Sequence, residues 1–446
     1  MLPLLCIALS LLPLASCVDL EVGDKESVCA AATLIIDGIM DYYEGTRYGG
    51  TVGMFQEPYY WWEAGEVFGG MLDTWYFCDN DTYEDIIYDA ILAQRGTGNS
   101  FMPQNQSLTE GNDDQGFWAF VAMGAAERNF TNPPSDKPGW LALAQGCYNT
   151  MWARWETASC DGGLRWQIFT WNSGYNYKNT ISNACLFNIA ARLARYTGND
   201  TYAETAKTIW TWITDVQFAT LTDDSYSVYD GANVDNNCST LESTRWMYNY
   251  ATLMAGCAYM YNYTEEESWQ TEVGRLFSGM SIFLTDNVLY ERQCQTSKTC
   301  NNDQRSFRSI ASRFLGATAR LVPAYSDQIM EVIDDSATGA AASCSGGSDG
   351  HTCGMDWSAG DWDGVYGLGE QISALEVIQN TLVMSKPGPF DNSTGTSEGN
   401  VDEGLGYDST SNPHKITVTG KDKAGAGVAT VVALGIVIAL GVWMIV

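Results

Sequence analysis

The sequence predicts an all-α protein, an (α/α)6 barrel in which six helical hairpins form one toroidal domain. Three observations lead there. Apolar residues recur at a spacing near 3.6 in twelve segments: 27–43, 62–78, 81–95, 113–128, 139–157, 180–197, 200–218, 242–263, 265–285, 304–320, 323–337 and 370–384. Strand signals are confined to Leu164–Phe169 and Ser225–Tyr229. No repeat of fixed period links the segments, which weighs against a solenoid, and 446 residues with 45% hydrophobic content can bury one large core. Taken as successive hairpins, the segments make six inner and six outer helices around a cleft. Loops rich in Gly, Trp, Asn and Asp at one end of the inner helices are expected to build the site.

In chain order, the apolar run Leu2–Leu14 is too short to span a bilayer, and Ala15 and Cys17 stand at −3 and −1 to a cut before Val18. Residues 1–17 therefore read as a signal peptide, although no Lys or Arg precedes the run. The catalytic domain is assigned to 18–390. Within it, Ala190–Trp212 reads as helix-turn-helix: Gly198 stops the first helix, and Asn199 or Asp200 caps the next. A polar Ser/Thr/Gly-rich linker covers 391–427, and 428–446 is apolar with no basic flank after it. That layout suits a GPI-attachment signal with a removable tail better than a tail-anchored helix. Attachment is expected between Ser409 and Gly420. The mature protein is then placed in the secretory pathway, on the outer leaflet of the plasma membrane and in the cell wall.

Secretion implies glycans and disulfides. N-glycosylation sequons stand at Asn80, Asn105, Asn129, Asn199, Asn237, Asn262 and Asn392. Of 13 cysteines, Cys6 and Cys17 fall in the leader, so an odd number remains and at least one is unpaired. Cys294–Cys300 and Cys344–Cys353 each bracket a short polar loop. Cys29 opens the first helix and Cys78 closes the second, ends that an antiparallel pair brings together, so a bridge is expected there too.

Acids outnumber bases 54 to 23, a net charge of −31, which excludes a polyanionic partner such as nucleic acid. The only histidines are His351 and His414. A Ser-His-Asp triad or a His-rich metal site is ruled out, and neither a metal nor a cofactor is expected. Acid–base chemistry falls to carboxylates.

The strongest constellation is GNDDQGFW, Gly111–Trp118. Asn112 reads as an N-cap with Gln115 as its capping-box partner, which puts Asp113 and Asp114 in the first turn. Acids are favoured there by the helix dipole alone. Asp223–Asp224 and Asp334–Asp335 read as such ordinary acids. Gly116, Phe117 and Trp118 set the first pair apart, because they mark the start of an inner helix. Adjacent carboxylates suit glycosidic cleavage. One attacks the anomeric carbon while the other protonates the leaving oxygen, with the carboxyls about 5–5.5 Å apart in a retaining enzyme. Aromatic clusters beside amides suit a sugar, whose apolar C–H faces are ringed by hydroxyls. The candidate binding residues are Trp61, Trp62, Trp118, Trp171, Asn172, Tyr175, Lys178, Asn179, Asp230, Tyr248, Asn249 and Trp357. An acceptor subsite is expected from Trp61, Trp62, Trp171, Asn172, Tyr175 and Trp357.

The segments YYWWEAGEVFGGMLDTW (59–75), GNDDQGFWAFVAMGAAER (111–128), the run 162–200, YDGANVDNNCS (229–239), RWMYNYA (245–251), SFRSIASRFL (306–315) and the run 353–379 resemble glycoside hydrolase family 76, the α-1,6-mannanase family. They are most similar to its fungal GPI-anchored Dfg5/Dcw1 cell-wall group. The resemblance implies an (α/α)6 fold and a retaining mechanism, with Asp113 as nucleophile and Asp114 as general acid/base. Asn112 stands where bacterial relatives often carry Tyr or Thr. For the fungal group it implies a monomer that takes a GPI-glycan α-mannoside as donor and cell-wall β-glucan as acceptor. An endo-α-1,6-mannanase that hydrolyses mannan and a non-catalytic glycan-binding wall protein remain alternatives. A polysaccharide lyase is opposed by the scarcity of histidine.

Overall fold

The computed structural model describes residues 18–106, 108–407, 430, 434 and 435. The expected signal peptide lies outside them, as do residues 408–427 of the linker and nearly all of the apolar tail. Among the described residues there are twelve α-helices. They are α1 (Lys25–Met40), α2 (Trp61–Cys78), α3 (Glu84–Gln94), α4 (Asn112–Glu127), α5 (Trp140–Ala153) and α6 (Thr180–Thr197). The second half holds α7 (Asp200–Asp215), α8 (Met247–Thr264), α9 (Glu267–Met280), α10 (Asn302–Leu321), α11 (Ser326–Ser343) and α12 (Leu368–Asn380). None of the described helices is long and apolar enough to cross a membrane.

The even-numbered helices close a ring. α2 packs on α4, α4 on α6, α6 on α8, α8 on α10, α10 on α12, and α12 returns to α2. The odd-numbered helices lie outside it, which is the (α/α)6 architecture. Sequence pattern sorts the two rings. α4 and α6 are buried on nearly every side. α9 buries a single stripe, Trp269, Val273, Leu276 and Met280, at the spacing of one helix face. The turn between α6 and α7 forms as its residues dictate. Gly198 takes the left-handed conformation (φ 69°), and the Asn199 side chain accepts from the Thr201 N–H.

Polar residues fill part of the ring's interior. Arg313 reaches Glu66 at 2.7 Å and also pairs with Glu376, Arg192 pairs with Glu127 at 2.6 Å, and Arg128 with Asp73 at 2.7 Å. The inner helices other than α8 thus take part in ion pairs between helices, and the pairing is needed because these groups are largely buried.

Strands are short. β1 (Tyr177–Asn179), β4 (Gly231–Asn233) and β5 (Leu241–Glu242) form one antiparallel sheet in the order β1-β4-β5. β2 (Ala219–Thr222) pairs with β3 (Ser225–Val228) in the region read as a strand from sequence. β6 (Leu284–Thr285) and β7 (Val288–Leu289) form a third pair. Leu164–Phe169, read as the other strand, is not one. It makes a single bridge, Gly111 to Gln167, because its neighbour is a helix start rather than an extended partner.

Among the described residues four disulfides form: Cys29–Cys78, Cys160–Cys238, Cys294–Cys300 and Cys344–Cys353. The second joins positions 78 residues apart and was not legible in the spacing. Cys147, Cys185 and Cys257 are free and buried. Of the sequon asparagines, Asn105, Asn199, Asn237, Asn262 and Asn392 are exposed, and Asn80 and Asn129 are half-buried. Ser107 of the Asn105 sequon lies outside the described residues.

The boundary drawn at 390 falls too early. Thr396 N–H donates to Asn129 Oδ1 at 2.8 Å, Leu141 N–H to Ser397 Oγ at 3.0 Å, and Asn149 Nδ2 to the Val401 carbonyl at 2.9 Å. Residues 391–407 are a strap along α5. Its polar composition looks like linker, but its backbone is satisfied by amide and hydroxyl partners on the barrel.

Candidate active site

The site stands at the N-terminal ends of the inner helices. α4 begins one residue earlier than its capping pattern suggests. Gly111, not Asn112, is the N-cap, and its N–H donates to Asp114 Oδ2 at 2.7 Å. Gln115 turns inward instead, donating to the Ser100 carbonyl at 2.6 Å and to Thr150 Oγ1 at 2.9 Å. Asn112 bonds to the Arg165 carbonyl and accepts from Arg154 Nε, both at 2.9 Å. The cap must be glycine. A Cβ at Gly111 would stand 2.4 Å from Asp113 Oδ1, because the carboxylates fold back over it.

Asp113 is fixed from two sides. Its Oδ1 accepts the Asp114 N–H at 3.0 Å, and its Oδ2 accepts Asn179 Nδ2 at 3.0 Å. Asn179 also caps α6, its Oδ1 accepting from the Ser182 N–H. Burial raises the Asp113 pKa to about 7, and these hydrogen bonds oppose the rise. Asp114 is pushed well above the usual carboxylate range, first by burial and then by the charge of Asp113. Asp113 is therefore the one that ionises first, and Asp114 keeps its proton.

Two cavities meet here. An inner one of about 670 Å³ is lined by Asp113, Asn179, Tyr177, Asp230, Tyr248 and Phe307, among others. A groove of about 1470 Å³ is walled by Tyr59, Tyr60, Trp61, Gln106, Glu110 and Gln167, among others. Trp62, Asp114, Trp166 and Asp303 line both. Asp113 touches only the inner cavity, so Asp114 marks the junction. Neither lining contains a Lys, Arg or His. Tyr248 stacks on Phe307 with centroids 3.8 Å apart, and Trp62 Nε1 donates to Asp303 Oδ1 at 2.9 Å.

Of the residues read from sequence, Asp113, Asp114, Trp61, Trp62, Asn179, Asp230 and Tyr248 come together here. The others do not. Trp118 is fully buried, stacks on Trp61 and donates to the Trp61 carbonyl at 3.1 Å, so it supports the wall from behind. Trp357 is core, with the Arg308 guanidinium 4.0 Å over its ring. Lys178 is buried and spends its ammonium on the Ser159 and Gly162 carbonyls and on Glu156. It alternates with Tyr177 and Asn179 on β1, so its side chain takes the opposite face. Asn249 is buried away from both cavities. Trp171 lies on Phe169, Asn172 bonds to Gln167, and Tyr175 is covered by Arg165. None of the last three lines a cavity.

Sequence reading passed over Asp303, Phe307 and Glu110. Asp303 sits in a first helical turn, where an acid needs no special reason.

The model of glycosyl hydrolase family 76 matches residues 27–393, a span that includes every residue of both cavities. The chain belongs to glycoside hydrolase family 76. It is 52% identical over 431 residues to a Saccharomyces cerevisiae protein named mannan endo-1,6-alpha-mannosidase DFG5, covering 96% of this chain and 94% of that one. It is 51% identical to the S. cerevisiae DCW1 protein of the same activity name, covering 96% and 95%. A crystal structure of Dfg5 from Chaetomium thermophilum in complex with glucosamine superposes with TM-score 0.83 at 37% identity, covering 86% of this chain and 97% of that one. The family 76 fold extends further. The α-1,6-mannanase GH76A of Salegentibacter shares it at TM-score 0.62 and 17% identity, covering 79% and 98%. In this family 76 hydrolase, no group of three or more His, Cys, Asp or Glu able to hold a metal occurs among the described residues.

Proposed function

We propose that the protein is a retaining α-mannoside-acting glycosidase and transglycosidase. It acts on the α-linked mannose core of GPI glycans and transfers GPI-anchored proteins to cell-wall β-glucan. The observation that carries the reading is the pair Asp113 and Asp114 on one helical turn, of which Asp113 faces the inner cavity and Asp114 faces both cavities. The glycosyl unit occupies the inner cavity and the leaving sugar the groove. Asp113 Oδ attacks the anomeric carbon as Asp114 gives its proton to the glycosidic oxygen, and a glycosyl-aspartate forms. Asp114, now a carboxylate, takes a proton from whichever hydroxyl enters through the groove. That oxygen bonds to the anomeric carbon, and Asp113 leaves.

Water and a sugar hydroxyl compete at that second step. The groove, walled by Tyr59, Tyr60, Trp61 and Trp62 with Gln106 and Gln167, is the acceptor subsite of this reading. It replaces the set that included Trp171, Asn172, Tyr175 and Trp357. Recognition of a GPI glycan is supported by charge. Glu57, Asp114 and Asp303 face the groove with no basic side chain among its lining residues, which suits a leaving sugar that bears an amine, such as the glucosamine of a GPI core. The C. thermophilum relative is in complex with glucosamine. GPI tethering of the enzyme beside its donors raises their effective concentration. Hydrolysis of α-1,6-mannan is the second reading, favoured by the activity names of the relatives.

Mass spectrometry of products decides between them, after incubation with a GPI-type glycan or α-1,6-mannan, with and without oligoglucan. Turnover of the GPI-type glycan should rise with oligoglucan and yield a mannosyl–glucan conjugate, and soluble mannan should be hydrolysed weakly. Rapid acceptor-independent hydrolysis of mannan would leave a conventional mannanase.

A further inference from the structure

Glu110 is the residue before the α4 cap. Its backbone is used on both sides, the N–H donating to the Gln106 carbonyl and the carbonyl accepting from Ile168. Its side chain is not. The residue is 2% exposed, and neither carboxyl oxygen has a hydrogen-bond partner. It walls the groove together with Asp114, whose own carboxylate reaches back to the next residue, Gly111. An ionised carboxylate in that position would be buried with no hydrogen bond to either oxygen and strongly penalised, so Glu110 is held neutral. Its pKa lies well above the carboxylate range, from burial first and the Asp114 charge second.

The charged and titratable groups around it come from three helices. Asp114 of α4 raises its pKa, Arg154, just after α5, lowers it without offsetting the burial, and Glu110 in turn raises the thiol of Cys147 on α5. Arg154 hydrogen-bonds to Asn112 and Gln115. Asp303 of α10 acts on Asp114.

We propose that Glu110 is a positioning residue for the acid/base: held protonated in the groove wall, it donates a hydrogen bond to the Asp114 carboxylate left when the glycosidic oxygen takes its proton. The inference rests on the reading of Asp114 as the acid/base. Two protons reside on the pair at rest. One leaves with the departing sugar, and the Glu110 O–H then faces the Asp114 carboxylate. The entering hydroxyl restores the second proton as its oxygen displaces Asp113. A shared single charge is tolerable in this wall, and two adjacent charges are not. Glu110 touches no substrate atom and works only through Asp114.

The test compares Glu110→Met, which cannot donate, with Glu110→Gln, which donates but does not titrate. Two donors are used: an α-mannoside with a sugar leaving group, and one with an aryl leaving group that departs without a proton. In Glu110→Met, kcat on the first donor should fall about tenfold or more, while the burst of aryl release on the second changes less than about twofold. Glu110→Gln should stay within about threefold of wild type on both. Equal losses on the two donors, or no loss on either, would overturn the proposal. A measurement independent of the Met variant's folding is infrared difference spectroscopy at neutral pH. Wild type should show a protonated-carboxyl C=O stretch that Glu110→Gln removes, and absence of that band would mean that Glu110 is ionised and the proposal wrong. Wild-type enzyme that turned over neither donor would instead sink the reading of the site itself.

Discussion

Asp113 accepts two hydrogen bonds that favour its charge, and Asp114 carries the higher pKa because Asp113 is already beside it. Their roles follow from that order. Asp113→Asn and Asp114→Asn should each lower kcat at least about 10³-fold on unactivated substrates while the circular dichroism spectrum is kept. An aryl leaving group should partly rescue Asp114→Asn and not Asp113→Asn. Full activity in either variant would remove that residue from the chemistry. The pH profile gives a second test. Asp113 must be ionised, so kcat/KM should rise through about pH 7 on the acid side. Asn179→Ala removes a donor that stabilises the Asp113 charge, so the acid limb should move to higher pH and activity at pH 6 should fall more than at pH 8. An acid limb that stayed in place would mean that Asn179 does not hold the nucleophile.

The inner helices do two things at once. Their N-terminal turns present the site, and their middles carry the ion pairs of the barrel interior. Arg313 on α10 compensates Glu66 on α2 and Glu376 on α12. Burial first, and then the Asp73 and Glu66 charges, push the Glu376 pKa up, and Arg313 is the group that opposes them. Arg313→Met should therefore strand two buried carboxylates and cost about 3–5 kcal/mol of unfolding free energy, measured by denaturant titration. A loss below about 1 kcal/mol would show that the pairs are dispensable packing. The outer helices have no such load. α7 and α9 expose one face to solvent, so substitutions on that face away from caps should stay within about 0.5 kcal/mol.

The whole molecule buries many carboxyls that prefer to be neutral. Glu63 and Glu291 are raised to about 8, by burial first, and Glu110 and Glu370 are also raised. Between about pH 4.3 and 8 the folded chain binds more protons than the unfolded one. Stability from this source is fully present below the unfolded carboxyl range and is lost as pH rises through about 8. The thermal midpoint should therefore be higher near pH 5 than near pH 8.5, opposite to the acid limb of activity. Calorimetry across that range is the measurement, and a midpoint that climbed with pH would show that these carboxyls are ionised in the fold.

The sequence by itself determined the twelve helices, the alternation of inner and outer ones, the Gly198–Asn199 turn and the placement of Asp113 and Asp114 in one first turn. Each of these is written in local pattern: helical periodicity, a stop and a cap, two acids before an aromatic helix. It also pointed to Trp61, Trp62, Asn179 and Tyr248, which stand at or just before inner-helix starts, and to Asp230, which stands just before β4. Only the tertiary structure decided which aromatic and polar residues face the cleft. Trp118 and Trp62 both lie near the starts of inner helices, yet one packs behind Trp61 and the other lines both cavities. The difference is the rotation of each helix within the ring, which one segment does not encode. Lys178 fell to strand alternation, Trp357 to the Arg308 guanidinium, and Asp303 became visible only when α10 closed the ring opposite α4. The strap over 391–407 and the bridge Cys160–Cys238 were beyond local reading for the same reason. Composition calls a polar segment a linker, and only a partner surface brought close by folding can make it part of the body.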